Sequence, residues 1–302
     1  MSANALRLRL GTRGSALALA QSGWVAAELR RLHPGLAVEF VTITTKGDRI
    51  LDRALNQVGG KGLFVTEIEN ALLSGEIDLA VHSLKDVPTE QPAGLTLAAF
   101  PPREDPRDVL VSRDKLRLAD LPPGAVIATS SLRRTAQLRH ARPDLQFTPI
   151  RGNVDTRIRK MRLGQADAVV LAAAGLIRLG RAEWIADHLD PEVCLPPAGQ
   201  GILCLEARAS DQPTLDLLQP MDSPTSRLCA EAERHVVAAL GGSCQVAMGV
   251  LAEVQDERLS IRAMVSDLQG ERLLRASGGT AEAVVTQLRA AGADELLAQC
   301  LA

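Results

Sequence analysis

A chain of 302 residues exceeds one average domain and predicts two or three. Hydrophobic residues make up 46% of it and charged residues 23%, the balance of a globular protein, and a net charge of −2 excludes a global pull toward nucleic acid or an anionic membrane. The five cysteines, Cys194, Cys204, Cys229, Cys244 and Cys300, are odd in number and not closely paired, which argues against a disulfide framework or a zinc cluster. The first nine residues lack a signal-peptide core, and the longest apolar run, residues 168–177, is too short to span a bilayer. A reduced, cytoplasmic protein is expected.

Residues 6–10 alternate apolar and basic side chains, as a strand does. The turn Gly11-Thr12-Arg13-Gly14-Ser15 follows, with Ser15 placed to cap a helix that runs to His33 and stops at Pro34-Gly35. Residues 37–44 form a second strand. A helix N-terminus beside Arg13 is a natural anion site. Residues 45–62 carry four glycines and no periodicity, and read as a long flexible loop around Lys61. Gly59-Gly60-Lys61-Gly62 lacks the spacing of a phosphate-binding loop. A helix over 64–73, a buried strand over 78–82 and another strand over 95–100 complete the first part.

After a linker at Pro101-Pro102, strands are predicted over 109–111, 125–128, 145–150 and 167–171. Ser131 caps a helix to residue 141, and a second helix covers 154–163. Helical turns follow to residue 189, and Pro196-Pro197-Ala198-Gly199-Gln200-Gly201 breaks the pattern. The two halves echo each other: Gly11-Thr12-Arg13-Gly14-Ser15 and Ala128-Thr129-Ser130-Ser131 both join a strand to a helix. Two similar α/β domains around a cleft account for this, with ligands at the carboxyl ends of the strands. Beyond them come a strand over 202–206, a helix over 221–240, strands over 245–248, 259–265 and 272–276, and one helix over 280–301. These last elements make a small α+β domain, with Cys244 on the loop at its entrance after Gly241-Gly242. A loop thiol there is either a packed, inert cysteine or a nucleophile that carries a group covalently.

Charge is the most informative local feature. Residues 131–162 hold nine cations against two acids, a net of +7, and eight of the nine are arginine, which grips carboxylates and phosphates in a fork. Arg133 and Arg134 open a helix, where a cation opposes the dipole and a bound anion relieves the conflict. Arg151 and Arg157 sit at a strand end and on the following helix. A solvated face accounts for Arg139, Arg142, Arg159 and Arg162. Phe147 is the one aromatic in the stretch, too few stacking platforms for a single-strand nucleic-acid surface. Lys85-Asp86 after a buried strand reads as a surface ion pair or as a carboxylate that carries protons. His82 reads as a packed histidine. No cysteine, histidine or acid cluster has metal spacing.

Taken together, the motifs resemble the porphobilinogen deaminase (hydroxymethylbilane synthase) family of tetrapyrrole and haem biosynthesis. The resemblance rests on Gly11-Thr12-Arg13-Gly14-Ser15, Gly59-Gly60-Lys61-Gly62-Leu63-Phe64, His82-Ser83-Leu84-Lys85-Asp86 and Thr129-Ser130-Ser131-Leu132-Arg133-Arg134. It continues with Arg151-Gly152-Asn153-Val154-Asp155-Thr156-Arg157, Ala172-Ala173-Ala174-Gly175-Leu176, Pro197-Ala198-Gly199-Gln200-Gly201 and Gly241-Gly242-Ser243-Cys244-Gln245-Val246.

The resemblance implies a transferase that condenses four porphobilinogen molecules head to tail, releases ammonia at each step and hydrolyses off hydroxymethylbilane for the next tetrapyrrole enzyme. It implies a dipyrromethane cofactor, made from substrate and joined by a thioether to Cys244. Asp86 then contacts pyrrole nitrogens and assists proton transfer. Lys85, Ser131, Arg133 and Arg134 bind the cofactor, and Arg13, Ser15, Arg151, Arg157 and Arg178 bind substrate carboxylates. Lys61 and Phe64 belong to a mobile loop, and no metal takes part. The implied fold is α/β: two periplasmic-binding-protein-like domains around a cleft, plus a smaller α+β C-terminal domain carrying the cofactor. The domains are residues 1–101 with 201–218, residues 102–200, and residues 219–302. The implied protein is a monomer whose partners are small molecules, with neither nucleic acid nor membrane. Ala247 stands where the family commonly has proline. A two-lobed solute-binding or effector-binding module is the main rival, but such a module has no need of Cys244.

Overall fold

The computed structural model of the protein describes residues 7–49, 62–242 and 246–301. In chain order the first elements are β1 (Arg7–Thr12), α1 (Ala16–Leu32), β2 (Ala37–Thr42), α2 (Thr66–Leu73), β3 (Leu79–Ser83) and β4 (Leu95–Ala99). Then come β5 (Asp108–Ser112), β6 (Val126–Ala128), α3 (Leu132–Ala141), β7 (Gln146–Thr148), α4 (Val154–Lys160), β8 (Ala168–Ala172), α5 (Ala173–Arg178) and β9 (Asp187–His188). The remainder is β10 (Leu203–Arg208), α6 (Gln212–Leu218), α7 (Pro224–Ala239), β11 (Ala247–Gln255), β12 (Arg258–Ser266), β13 (Leu273–Gly278), α8 (Ala281–Ala290) and α9 (Ala293–Leu301).

These elements divide into two compact units: residues 1–103 with 202–228, and residues 104–201 with 229–302. The first unit holds a five-stranded sheet in the order β2-β1-β3-β10-β4. Strand β1 is parallel to β2 and β3, while β10 is antiparallel to β3 and β4. Its core joins Leu8 and Leu10 of β1 to Val25 and Leu29 of α1 and to Leu203 and Leu205 of β10. Each such buried aliphatic side chain contributes about 1.5–3 kcal/mol. Ser15 caps α1, accepting from the Ala18 N–H at 3.3 Å, and Arg30 and Arg31 in its last turn complement the dipole.

The second unit repeats the plan. Its sheet order is β7-β6-β8-β5-β9, with β6 parallel to β7 and β8, and β5 antiparallel to β8 and β9. The echo between the two halves of the sequence is thus a repeated topology, with one antiparallel strand in the same place in each sheet. Both sheets are mixed, each with helices among its strand connections.

The second unit also contains an antiparallel meander, β11-β12-β13, backed by α8 and α9. Val236, Val250, Ile261, Val284, Leu288 and Leu296 make its core. Strand β11 is longer than the predicted 245–248 because both its faces are covered. One faces this core and the other meets Leu195 through Leu251, so apolar alternation is lost. Gly249 has no Cβ because one would stand 2.8 Å from Leu195 O, and Val250 N–H donates to Pro196 O at 2.9 Å. Three further contacts fix the meander to its neighbours. Glu233 of α7, fully buried, accepts from Gly199 N–H at 2.6 Å and Ala252 N–H at 2.7 Å. His140 Nδ1 donates to Gly270 O at 3.0 Å, and Gly270 packs on the α3 backbone.

The helix expected over 280–301 is two helices, because Gly292 takes φ +95° and ends the first. The helix expected over 154–163 is α-helical only to Lys160, then widens to a π turn that closes at Gly164. Helix α6 and the short strand β9 were not expected from periodicity at all.

Candidate active site

Of the residues singled out from the sequence, Arg13, Ser15, Lys85, Asp86, Ser131 and Arg151 lie just beyond the carboxyl ends of strands, where open α/β sheets bind ligands, and Arg133, Arg134, Arg157 and Arg178 lie on the helices that follow. In the first unit, Ser22 Oγ donates to Thr12 Oγ1 at 2.8 Å and Gln21 Nε2 donates to Ser83 Oγ at 3.0 Å, so α1 fixes the ends of β1 and β3. Beyond β3 the chain makes one 3-10 turn, Leu84–Asp86. Leu84 is buried and its N–H donates to Ile202 O at 3.0 Å, which leaves Lys85 and Asp86 exposed. His82 is packed, as expected: its ring lies 3.0 Å from Glu206 of β10, and both side chains are buried.

Arg13 already holds a carboxylate. Its Nε lies 3.1 and 3.2 Å from the two oxygens of Asp48, and its Nη2 lies 2.5 Å from Oδ1. Thr45 donates to Asp48 through its backbone N–H and its hydroxyl. Phe64 stacks on the guanidinium, 4.3 Å from its carbon to the ring centroid. Burial works to raise the Asp48 carboxyl, and the hydrogen bonds from Arg13 and Thr45 together outweigh it, leaving it below its usual range.

In the second unit, Ser131 caps α3 by accepting from Arg134 N–H at 3.4 Å. The two cations that open this helix do not face solvent. Asp108, the fully buried first residue of β5, accepts from Arg133 Nη2 and Arg134 Nη2 at 2.7 Å each and from Gln200 Nε2 at 2.9 Å. Arg133 Nη1 also donates to Leu195 O at 2.5 Å, and Arg134 Nη1 to Val170 O at 2.9 Å. Asp108 relieves part of the conflict between these cations and the α3 dipole from within. Burial works to raise the Asp108 carboxyl, but Arg133 and Arg134 outweigh it and keep it ionised, well below the carboxylate range. One carboxylate between two guanidiniums leaves one positive charge over, and Arg134 Nε is buried with no hydrogen-bond partner among the described residues.

Arg178 joins the same neighbourhood. Its Nη2 donates to Gly201 O at 2.7 Å, next to Gln200, and burial pulls its guanidinium down to about 10 against the attraction of Glu104. Arg151 and Arg157 come together at one turn: Arg157 Nε donates to Gly152 O at 2.7 Å, and Lys160 Nζ donates to Arg151 O at 3.1 Å. Both side chains are half-buried. Of the cations read as a solvated face, Arg142 instead ties down the carbonyls of Leu118 and Leu121.

Cys244 and Lys61 lie outside the described residues. The approach to Cys244 is described: α7 ends at Gly241, with φ +65°, and Gly242 N–H donates to Val237 O at 2.9 Å. A Cβ on Gly242 would stand 2.9 Å from Val237 Cγ1, so both glycines are required by the turn. Cys194, Cys204 and Cys229 are buried and Cys300 is half-buried. Burial pushes the Cys194 thiol up to about 12 and raises that of Cys300. Among the described residues no group of three His, Cys, Asp or Glu side chains could hold a metal ion, and no helix is long and apolar enough to cross a membrane.

Two family models together match most of the chain. Residues 8–216 match "porphobilinogen deaminase, dipyromethane cofactor binding domain" and residues 227–292 match "porphobilinogen deaminase, C-terminal domain". The chain belongs to the porphobilinogen deaminase family. A porphobilinogen deaminase of Syntrophotalea carbinolica is 52% identical over 99% of this chain and 96% of the relative. One from a Roseiflexus species is 51% identical over 97% of this chain and 96% of the relative. Among solved structures, a probable amino-acid ABC transporter extracellular-binding protein, ytmK from Bacillus subtilis, is similar at a TM-score of 0.42 and 12% identity, covering 72% of this chain and 92% of that one. A likeness that slight carries no argument.

Sequence reasoning left four buried or half-buried residues unassigned: Asp48, Asp108, Gln200 and Glu233. Gln200 lay inside a quoted motif, and Glu233 was legible as an acid on the apolar face of α7. Asp48 and Asp108 find their partners 35 and 25 or more residues away, beyond any local pattern.

Proposed function

We infer that this chain is a hydroxymethylbilane synthase that builds a linear tetrapyrrole from four porphobilinogen molecules and acts as a cytoplasmic monomer. The observation that carries the reading is the surplus of buried positive charge in the second unit. Arg133 and Arg134 share one carboxylate, Arg134 Nε lacks an acceptor among the described residues, and Arg178 is depressed by burial. Such a donor set fits a ligand rich in carboxylates, and each pyrrole unit brings an acetate and a propionate. A dipyrromethane fits the same test. When bound through a thioether to Cys244, it supplies the pyrrole primer that is extended.

The roles are assigned as the family resemblance implies them. Ser131, Arg133, Arg134 and Lys85 hold the cofactor, and Arg13, Ser15, Arg151, Arg157 and Arg178 hold substrate carboxylates. Each addition breaks the aminomethyl C–N bond of porphobilinogen, releases ammonia and forms one C–C bond, and the proton displaced from the accepting pyrrole carbon must go to a base. Asp86 is suited to take it, because its carboxylate is exposed at a strand end on a turn fixed by buried Leu84. Functionally the chain is read as three domains, residues 1–101 with 201–218, 102–200 and 219–302, the last bearing Cys244. Partners are confined to porphobilinogen and the enzyme that receives the product.

The test is stoichiometry. Purified protein given porphobilinogen is expected to release four ammonia molecules for each hydroxymethylbilane, and Arg178→Ala is expected to raise KM more than it lowers kcat. Protein that leaves porphobilinogen unconsumed contradicts the reading.

A further inference from the structure

The buried carboxylate beneath the arginine pair belongs to no role assigned above. Asp108 spends its two oxygens on four donors: Arg133 Nη2, Arg134 Nη2, Gln200 Nε2 and, at 3.4 Å, the Cys194 thiol. Gln200 is itself 1% exposed, and its amide is locked by a second bond, to Pro106 O at 2.7 Å. The backbone on either side of Gln200 takes left-handed geometry at Gly199 and Gly201, φ +75° and +86°. Gly199 N–H is in turn held by Glu233, the buried acid of the helix that leads to Cys244. A continuous line of buried hydrogen bonds therefore runs from that helix through the Gly199–Gly201 turn and Asp108 to both guanidiniums.

Two guanidiniums side by side repel, and in a dry site they stay together only with a shared counter-charge. A single carboxylate does this and leaves one net positive charge. A second acid would cancel the grip, and none at all would drive the pair apart. We propose that Asp108, oriented by Gln200, is the positioning residue that sets Arg133 and Arg134 as a grip of one net charge for one carboxylate of the cofactor. The proposal rests on the cofactor-binding reading of these arginines.

Two variants test it, with the mass of the intact purified protein and the rate of adduct formation as readouts. Asp108→Asn removes the shared charge, and Gln200→Leu leaves every charge in place but frees the carboxylate to turn. In folded Gln200→Leu protein, judged by native circular dichroism, the rate at which the unloaded fraction gains two pyrrole units on incubation with porphobilinogen is expected to fall about tenfold, the effect of one lost net hydrogen bond. Folded Asp108→Asn protein is expected to carry no adduct. Should Asp108→Asn fail to fold, Gln200→Leu decides alone, and should Gln200→Leu fail to fold, the shorter Gln200→Asn, with the same expected fall, replaces it. Loading within about twofold of the parent protein in a folded Gln200 variant overturns the proposal. If the parent protein itself gains no pyrrole units, the cofactor reading fails, and that result is distinct from a variant that loads normally.

Discussion

Gly270→Ala probes the joint between the meander that follows Cys244 and the helix that carries Arg133 and Arg134. The turn between β12 and β13 lies against α3 so closely that a Cβ on Gly270 would stand 2.2 Å from Ala136 O. The atom it meets is backbone and cannot swing aside. Gly270 also takes φ +76°, which costs an alanine about 1–2 kcal/mol. Overpacking against a fixed neighbour adds about 1–3 kcal/mol, so the total is about 2–5 kcal/mol. Gly124→Ala is the control: Gly124 takes φ +79° in the same unit, but a Cβ there would have no atom within 4 Å, so only the backbone cost applies. At roughly 2–4 °C per kcal/mol for a unit of this size, Gly270→Ala lowers Tm by roughly 4–20 °C and Gly124→Ala by roughly 2–8 °C. Differential scanning calorimetry measures both. Equal shifts for the two variants refute the close approach of turn and helix.

Asp48→Asn weakens the carboxylate that already occupies Arg13, so KM for porphobilinogen is expected to fall by about tenfold, the low end of the range for a hydrogen bond to a charged group. In an Arg13→Ala background the same change is expected to do nothing further, and a fall in KM there contradicts direct competition. Asp86→Asn is expected to retain the two-pyrrole adduct by mass while kcat drops about 10²–10⁴-fold, the contribution of a positioned acid or base. Normal turnover moves proton handling to another residue. Alkylation of native protein at pH 8, mapped by peptide mass, is expected to spare Cys194, whose thiol is buried and pushed up to about 12. Labelling of Cys194 as fast as the half-buried Cys300 contradicts its place beside Asp108.

Local signals in the sequence located most elements. Ser15 and Ser131 cap helices where the strand-to-helix turns predicted them, and Gly35 and Gly241 close helices in left-handed geometry. What local patterns could not carry was contact over distance. Helix α9 separates from α8 at Gly292, a residue that reads as tolerated inside an otherwise continuous amphipathic run. Strand β11 extends to Gln255 because Leu195, 56 residues before Leu251, covers its second face. The basic stretch was visible as charge, but its first two arginines turned out to be held by an acid on β5. The charge pattern points to an anionic ligand, carboxylate or phosphate; the fold shows that one carboxylate is already built in, and that the surplus is one charge.

The covalent primer on Cys244 is the claim on which the other roles depend. The mass of the intact protein, purified without denaturation or reduction, tests it most directly. The expected value exceeds the sequence mass by two pyrrole units, and Cys244→Ser is expected to return it to the sequence mass. A parent protein at its sequence mass after incubation with porphobilinogen, or an adduct that survives Cys244→Ser, contradicts the account.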